Sequence, residues 1–100
     1  MSSLEDNFRK AQQEVRDLPT PLDRIQQLRL YALFMQATVG DVSGRRPGFS
    51  DLEGRSRWDA WLAVAGIGRE EAMREYIAEV ARLRSRRGVG SLGTASYSLG

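Results

Sequence analysis

Apolar side chains recur at three- and four-residue intervals along most of this chain, and proline or glycine breaks the pattern at only a few places. That interval is the repeat of an α-helix with one apolar face. Leu4, Phe8, Ala11, Val15 and Leu18 form a first stripe. Ser2 and Ser3 precede it as N-caps, and Ser2 with Glu5 fits a capping box. Pro19 and Pro21 end this helix, because proline lacks an N–H and disfavours helical backbone before it. A second helix starts near Leu22 or Asp23, takes Ile25, Leu28, Tyr31 or Ala32, Met35 and Val39 as its stripe, and stops at Gly40. Residues 41–50, with Gly44, Pro47 and Gly48, read as an ordered loop. A third helix is expected over residues 51–65, capped by Asp51, with Leu52, Trp58, Trp61, Leu62 and Ala65 as apolar bulk and Gly66 as its stop. Gly68 opens a fourth over residues 69–86, striped by Ala72, Met73, Tyr76, Ile77, Val80 and Leu83. Glu70 and Glu71 at its start, and Arg82, Arg84, Arg86 and Arg87 at its end, complement the helix dipole. Four helices with short connections predict an all-α bundle.

Beyond residue 87 the character changes. Gly88, Gly90, Gly93 and Gly100 mix with Ser91, Ser96 and Ser98, and no charge appears. Residues 88–100 are expected to be a flexible tail on a single domain spanning residues 3–87.

Composition narrows the function. The 100 residues contain no Cys and no His, which excludes disulfides, thiol nucleophiles and the commonest metal ligands. The usual general base near neutral pH is missing too, so catalysis is not expected. The longest apolar runs are far short of the ~20 residues that span a bilayer. Ser2 to Arg16 is amphipathic and polar, unlike a signal peptide, so a cytoplasmic location is expected. Of the 15 basic residues only Lys10 is lysine. Arginine binds phosphate through a planar fork, which matters if phosphate is a ligand. The 13 acids are spread among the same helices, and no basic stripe emerges, so nucleic acid is not the expected partner.

The aromatic and basic residues of the middle helices are the candidates for binding. Tyr31 and Phe34 stand three apart; Phe34 either stacks on a flat ring or joins the core. Arg57, beside Trp58, either meets phosphate or forms part of a solvated face, and the same holds for Arg55. Arg45 and Arg46 are expected to pair with a loop carboxylate, Asp41 or Asp51. Trp58 and Trp61 read as core. The Tyr76 hydroxyl reaches either a ligand or a backbone carbonyl. Glu70, Glu71, Glu75 and Glu79, with Arg74 and Arg82 beside them, read as an exposed face of weak ion pairs.

Taken together, these motifs resemble the acyl-CoA-binding protein family. The similarity covers about residues 4–87 and rests on Tyr31 to Asp41, Arg46-Pro47-Gly48, Trp58-Asp59-Ala60-Trp61, Glu71-Ala72-Met73 and Tyr76-Ile77. The resemblance implies a four-helix up-down-down-up bundle that binds medium- to long-chain acyl-CoA thioesters, without catalysis or a cofactor. It implies a monomeric intracellular carrier that does not insert stably into membranes and delivers to acyl-CoA-using enzymes. It assigns Tyr31 to the 3′-phosphate, Phe34 to adenine, Arg57 to phosphate and Tyr76 to the CoA moiety. Val15 and Leu28 fall on the acyl groove, and Arg16 on a position that is often basic. Met35 replaces a lysine that contacts the 3′-phosphate in the family, so reduced dependence on that phosphate is expected. Glu53 stands where the family often has lysine, placing a carboxylate toward phosphate, and Gln12 replaces a small residue near the acyl path. A family member turned protein-interaction module, with weak or no acyl-CoA binding, is the alternative.

Overall fold

The computed structural model describes residues 2–86. The tail expected at residues 88–100 lies outside the described residues. Four helices account for the regular structure: α1 (Leu4–Arg16), α2 (Arg24–Thr38), α3 (Leu52–Leu62) and α4 (Arg69–Arg86), with no strand among the described residues.

Local side-chain chemistry sets the helix starts. Ser3, not Ser2, caps α1: its hydroxyl accepts from Asp6 N at 3.0 Å, and the Asp6 carboxylate accepts from Ser3 N. The capping box is therefore Ser3–Asp6, one residue later than the Ser2–Glu5 pair read from the sequence. Asp23 and Gln26 form the same reciprocal pair at the start of α2. Asp51 caps α3 by accepting from Gly54 N at 2.9 Å. Gly54 suits this geometry, because a Cβ there would lie 2.2 Å from the Asp51 carboxylate. At the start of α4, Ala72 N donates to Gly68 O at 2.9 Å.

The helix ends are set by backbone turns. Gly40 has φ +106°, a left-handed conformation that a side chain strains, so α2 stops there as expected. α3 stops at Leu62 rather than Ala65. Val64, Ala65 and Ile67 instead donate to carbonyls three residues back, and Gly66 turns the chain at φ +91°. That tightening swings Val64 into the core.

Contacts across helices fix the topology. Phe8 meets Tyr76 and Glu14 meets Arg84, so α1 and α4 run parallel. Arg29 meets Glu75 while Gln36 meets Ile67, so α2 and α4 are antiparallel. Arg24 meets Glu53 at the starts of α2 and α3, and Trp61 meets Gly40 at their ends, so those two are parallel. The bundle is thus up-down-down-up. Its core is Phe8 and Ala11 of α1, Leu30, Leu33 and Ala37 of α2, and Ala72, Tyr76, Val80 and Leu83 of α4, closed by Trp61 and Val64.

α2 departs from its expected stripe. Ile25 and Val39 are exposed, and Leu28, Tyr31 and Met35 are half-buried, while Leu30, Leu33 and Ala37 face inward with Ala32 and Gln36. The helix is apolar nearly all round, so its spacing fits two faces. The face that the core covers only in part is left for other contacts.

Candidate ligand-binding site

Three aromatic rings from three helices meet, two of them buried and Phe34 half-buried. Phe8 of α1 stacks on Phe34 of α2, with centroids 6.2 Å apart and planes 25° apart. Its other neighbour is Tyr76 of α4, edge-on at 5.1 Å and 80°. Both are favoured aromatic geometries. Tyr76 is buried, and that burial pushes its hydroxyl above the usual tyrosine range; Arg16, close enough to act electrostatically, pulls the other way. The phenol therefore stays neutral at neutral pH. Phe34 retains part of its ring at the surface. Of the residues assigned to the ligand from the sequence, Phe34 and Tyr76 thus come together on Phe8, a residue read only as core, and Arg16 acts on Tyr76. Its spacing placed Phe8 on the inner stripe, and nothing local to it signals that residues 34 and 76 would close on it.

Leu28, Tyr31 and Met35 continue this region along α2. All are half-buried, and Tyr31 and Met35 pack partly against the core, as Val15 does from α1. Arg57, on α3, is partly exposed. Its partner is Glu53, 3.8 Å away. Glu53 is held more closely by Arg24, whose Nη1 donates to both carboxylate oxygens at 2.9 Å. Arg24 stands 29 residues from Glu53, so no local motif announces the pair. No enclosed pocket is found among the described residues.

The other conspicuous motifs hold the scaffold. Gln36 is buried, and its Nε2 donates to Asp41 Oδ1 at 2.7 Å and to Ile67 O at 2.8 Å. Asp41 also accepts from Gly66 N at 2.8 Å. The Gly66 amide first, and then Gln36, hold the Asp41 carboxyl below its ordinary value. Trp61 Nε1 donates to Gly40 O at 2.8 Å, and Arg69 donates to Val39 O at 2.9 Å. The segment from Gln36 to Asp41 is therefore a knot joining the end of α2, the end of α3 and the start of α4. Arg46 pairs with Asp59 at 2.8 and 2.6 Å, not with Asp41 or Asp51 as read from the sequence. Asp41 is committed to the knot and Asp51 to its cap, which leaves Asp59 of α3 as the forked partner. That bond keeps the Asp59 carboxyl below its ordinary value. Arg55 lies over the exposed Phe49 ring at 4.2 Å and donates to Pro47 O. Trp61 is core as expected, whereas Trp58 is half-buried and its ring nitrogen is buried without a partner among the described residues.

Comparison with known proteins places this arrangement. Residues 5–80 match the family described as acyl CoA binding protein. Acyl-CoA-binding domain-containing protein 2 of Oryza sativa subsp. japonica is 42% identical over 80 residues, covering 80% of this chain and 88% of that protein. Acyl-CoA-binding domain-containing protein 3 of the same plant is 43% identical over 81 residues; the match takes 81% of this chain but only 52% of that longer protein. The crystal structure of Oryza sativa Acyl-CoA-Binding Protein 2 superposes with a TM-score of 0.82 at 38% identity, over 89% of this chain and 99% of that one. An all-α bundle with this helix order and these matches belongs to the acyl-CoA-binding protein family.

Proposed function

We propose that this protein binds medium- to long-chain fatty acyl-CoA thioesters without catalysis, and buffers and carries them in the cytoplasm as a monomer. Its recipients would be acyl-CoA-using enzymes. The observation that carries the reading is the partly covered apolar face of α2, with Leu28, Tyr31, Phe34 and Met35 half-exposed, Phe34 stacked on Phe8 and Arg24 one turn before Leu28. An amphiphile with a ring, phosphates and a hydrocarbon chain needs that combination. In this reading Phe34 stacks on adenine, while Tyr31 and Arg57 fix phosphate. Tyr76 and Arg16 border the CoA moiety, and Val15 and Leu28 line the chain. Hydrocarbon removed from water contributes about 0.8 kcal/mol per CH₂, so affinity should rise with chain length until the groove is full. Met35 supplies no cation, so the 3′-phosphate should matter less than the chain and the ring.

Titration calorimetry with palmitoyl-CoA, free CoA and dephospho-palmitoyl-CoA tests this. Submicromolar binding of palmitoyl-CoA, much weaker binding of CoA and similar binding of the dephospho form are expected. A folded protein that saturates with none of them would overturn the reading in favour of a protein-interaction module.

A further inference from the structure

The cluster of Arg24, Glu53 and Arg57 is built from two helices. Arg24 opens α2, and Glu53 and Arg57 lie one turn apart on α3. Glu53 Oε2 is 2.9 Å from Arg24 Nη1 and 3.8 Å from Arg57 Nη1, so one carboxylate gathers two guanidinium groups. All three side chains are about half exposed, and solute ions reach them. Arg24, Leu28, Tyr31 and Met35 follow one another at spacings of four, three and four residues, so they share one strip of α2. Within that strip Arg24 is the cation. A carboxylate between two guanidinium forks sits where phosphate oxygens would be received.

Resting on the acyl-CoA reading, we propose that Arg24 is a further phosphate-binding residue and that Glu53 is the internal anion a ligand phosphate displaces from Arg24 and Arg57. In the free protein Glu53 offsets the repulsion between the two cations and keeps them aimed at one point. A phosphate entering there carries more charge and more acceptors than the carboxylate, and exposed ion pairs are weak, so displacement is easy. Glu53 therefore lowers affinity for the phosphate end and sets how strongly the site discriminates against other anions.

The test measures palmitoyl-CoA binding to the unaltered protein, Glu53→Gln, Arg24→Gln and Arg24→Lys, each checked for fold by circular dichroism melting. Glu53→Gln should tighten binding about 5- to 10-fold, the effect of removing a unit charge a few ångströms from a phosphate at an exposed site. Arg24→Gln should weaken it by a similar factor, and Arg24→Lys should restore part of the loss. If both effects persist with dephospho-palmitoyl-CoA, the pyrophosphate is the group received; if they vanish, it is the 3′-phosphate. Tight binding unaltered by Arg24→Gln, or weakened by Glu53→Gln, overturns the proposal and leaves the acyl-CoA reading standing. Inorganic pyrophosphate, followed through the arginine Nε–Hε resonances, separates the converse case. If palmitoyl-CoA does not bind but pyrophosphate shifts Arg24 and Arg57, and does so more strongly in Glu53→Gln, the acyl-CoA reading fails and the anion site stands. No response to either probe overturns both.

Discussion

Gln36 is 1% exposed, and its amide nitrogen serves two acceptors on two different segments. Gln36→Leu keeps the bulk and removes the donor. Asp41 would keep the Gly66 amide, but the Ile67 carbonyl would lose Gln36. A destabilisation of about 1–3 kcal/mol is expected, read as a lower urea midpoint at unchanged slope. Met35 makes the opposite case, since there a side chain can be added to gain a contact. Met35→Lys should introduce a charge-assisted hydrogen bond of about 1.5–3 kcal/mol. Palmitoyl-CoA would then bind about 10- to 150-fold tighter in calorimetry, and dephospho-palmitoyl-CoA would gain far less. Residues differed in how far their neighbours could be read in advance. Trp61 and Tyr76 announce burial by size and spacing. The Arg46–Asp59 and Arg24–Glu53 pairs depend on how α3 docks, which no local pattern encodes.

Among the elements, α1 and α4 were legible almost residue by residue, because each has one apolar face and charges placed to suit its dipole. The cap of α1 was off by one position, for a simple reason. Ser2 with Glu5 and Ser3 with Asp6 offer the same chemistry one residue apart, and only the helical register chooses between them. Ser3→Ala should therefore cost about 0.5–2 kcal/mol, whereas Ser2→Ala should change thermal stability by much less. Thermal melts of the two variants side by side check this. α2 was legible as a helix but not as an oriented one. With apolar residues on nearly every side, its spacing could not say which face the core would take. The same ambiguity hid the candidate site, since the face read as core is the one left half-exposed.

For the molecule as a whole, stability rests on a small core under α2 and α4. Leu33 is fully buried at its centre. Leu33→Ala should cost about 2–5 kcal/mol, enough to unfold much of a domain this size at modest urea concentrations. Acid should loosen the fold through its tied carboxylates. Asp41 and Asp59 both have folded pKa values depressed below the ordinary 3.8. A depressed value contributes stability above pH 3.8, and that stability is lost as pH falls through the folded value. The melting temperature should therefore hold steady from pH 7 to about 5 and drop below about pH 4, and less steeply in Asp41→Asn.

The parallel pairing of α1 with α4 has a consequence for how the chain is made. The apolar face of α1, Phe8 and Ala11, packs on α4, which α1 meets at Tyr76 through Phe8 and at Arg84 through Glu14. Within the domain, the first helix made is thus the partner of the last. While α2 and α3 emerge, α1 has the Phe34 ring of α2 to meet but not the helix that covers most of its face, and an isolated helix of 13 residues is marginal in water. The domain must wait for nearly its whole length before it can close, and it then closes late and at once rather than piece by piece.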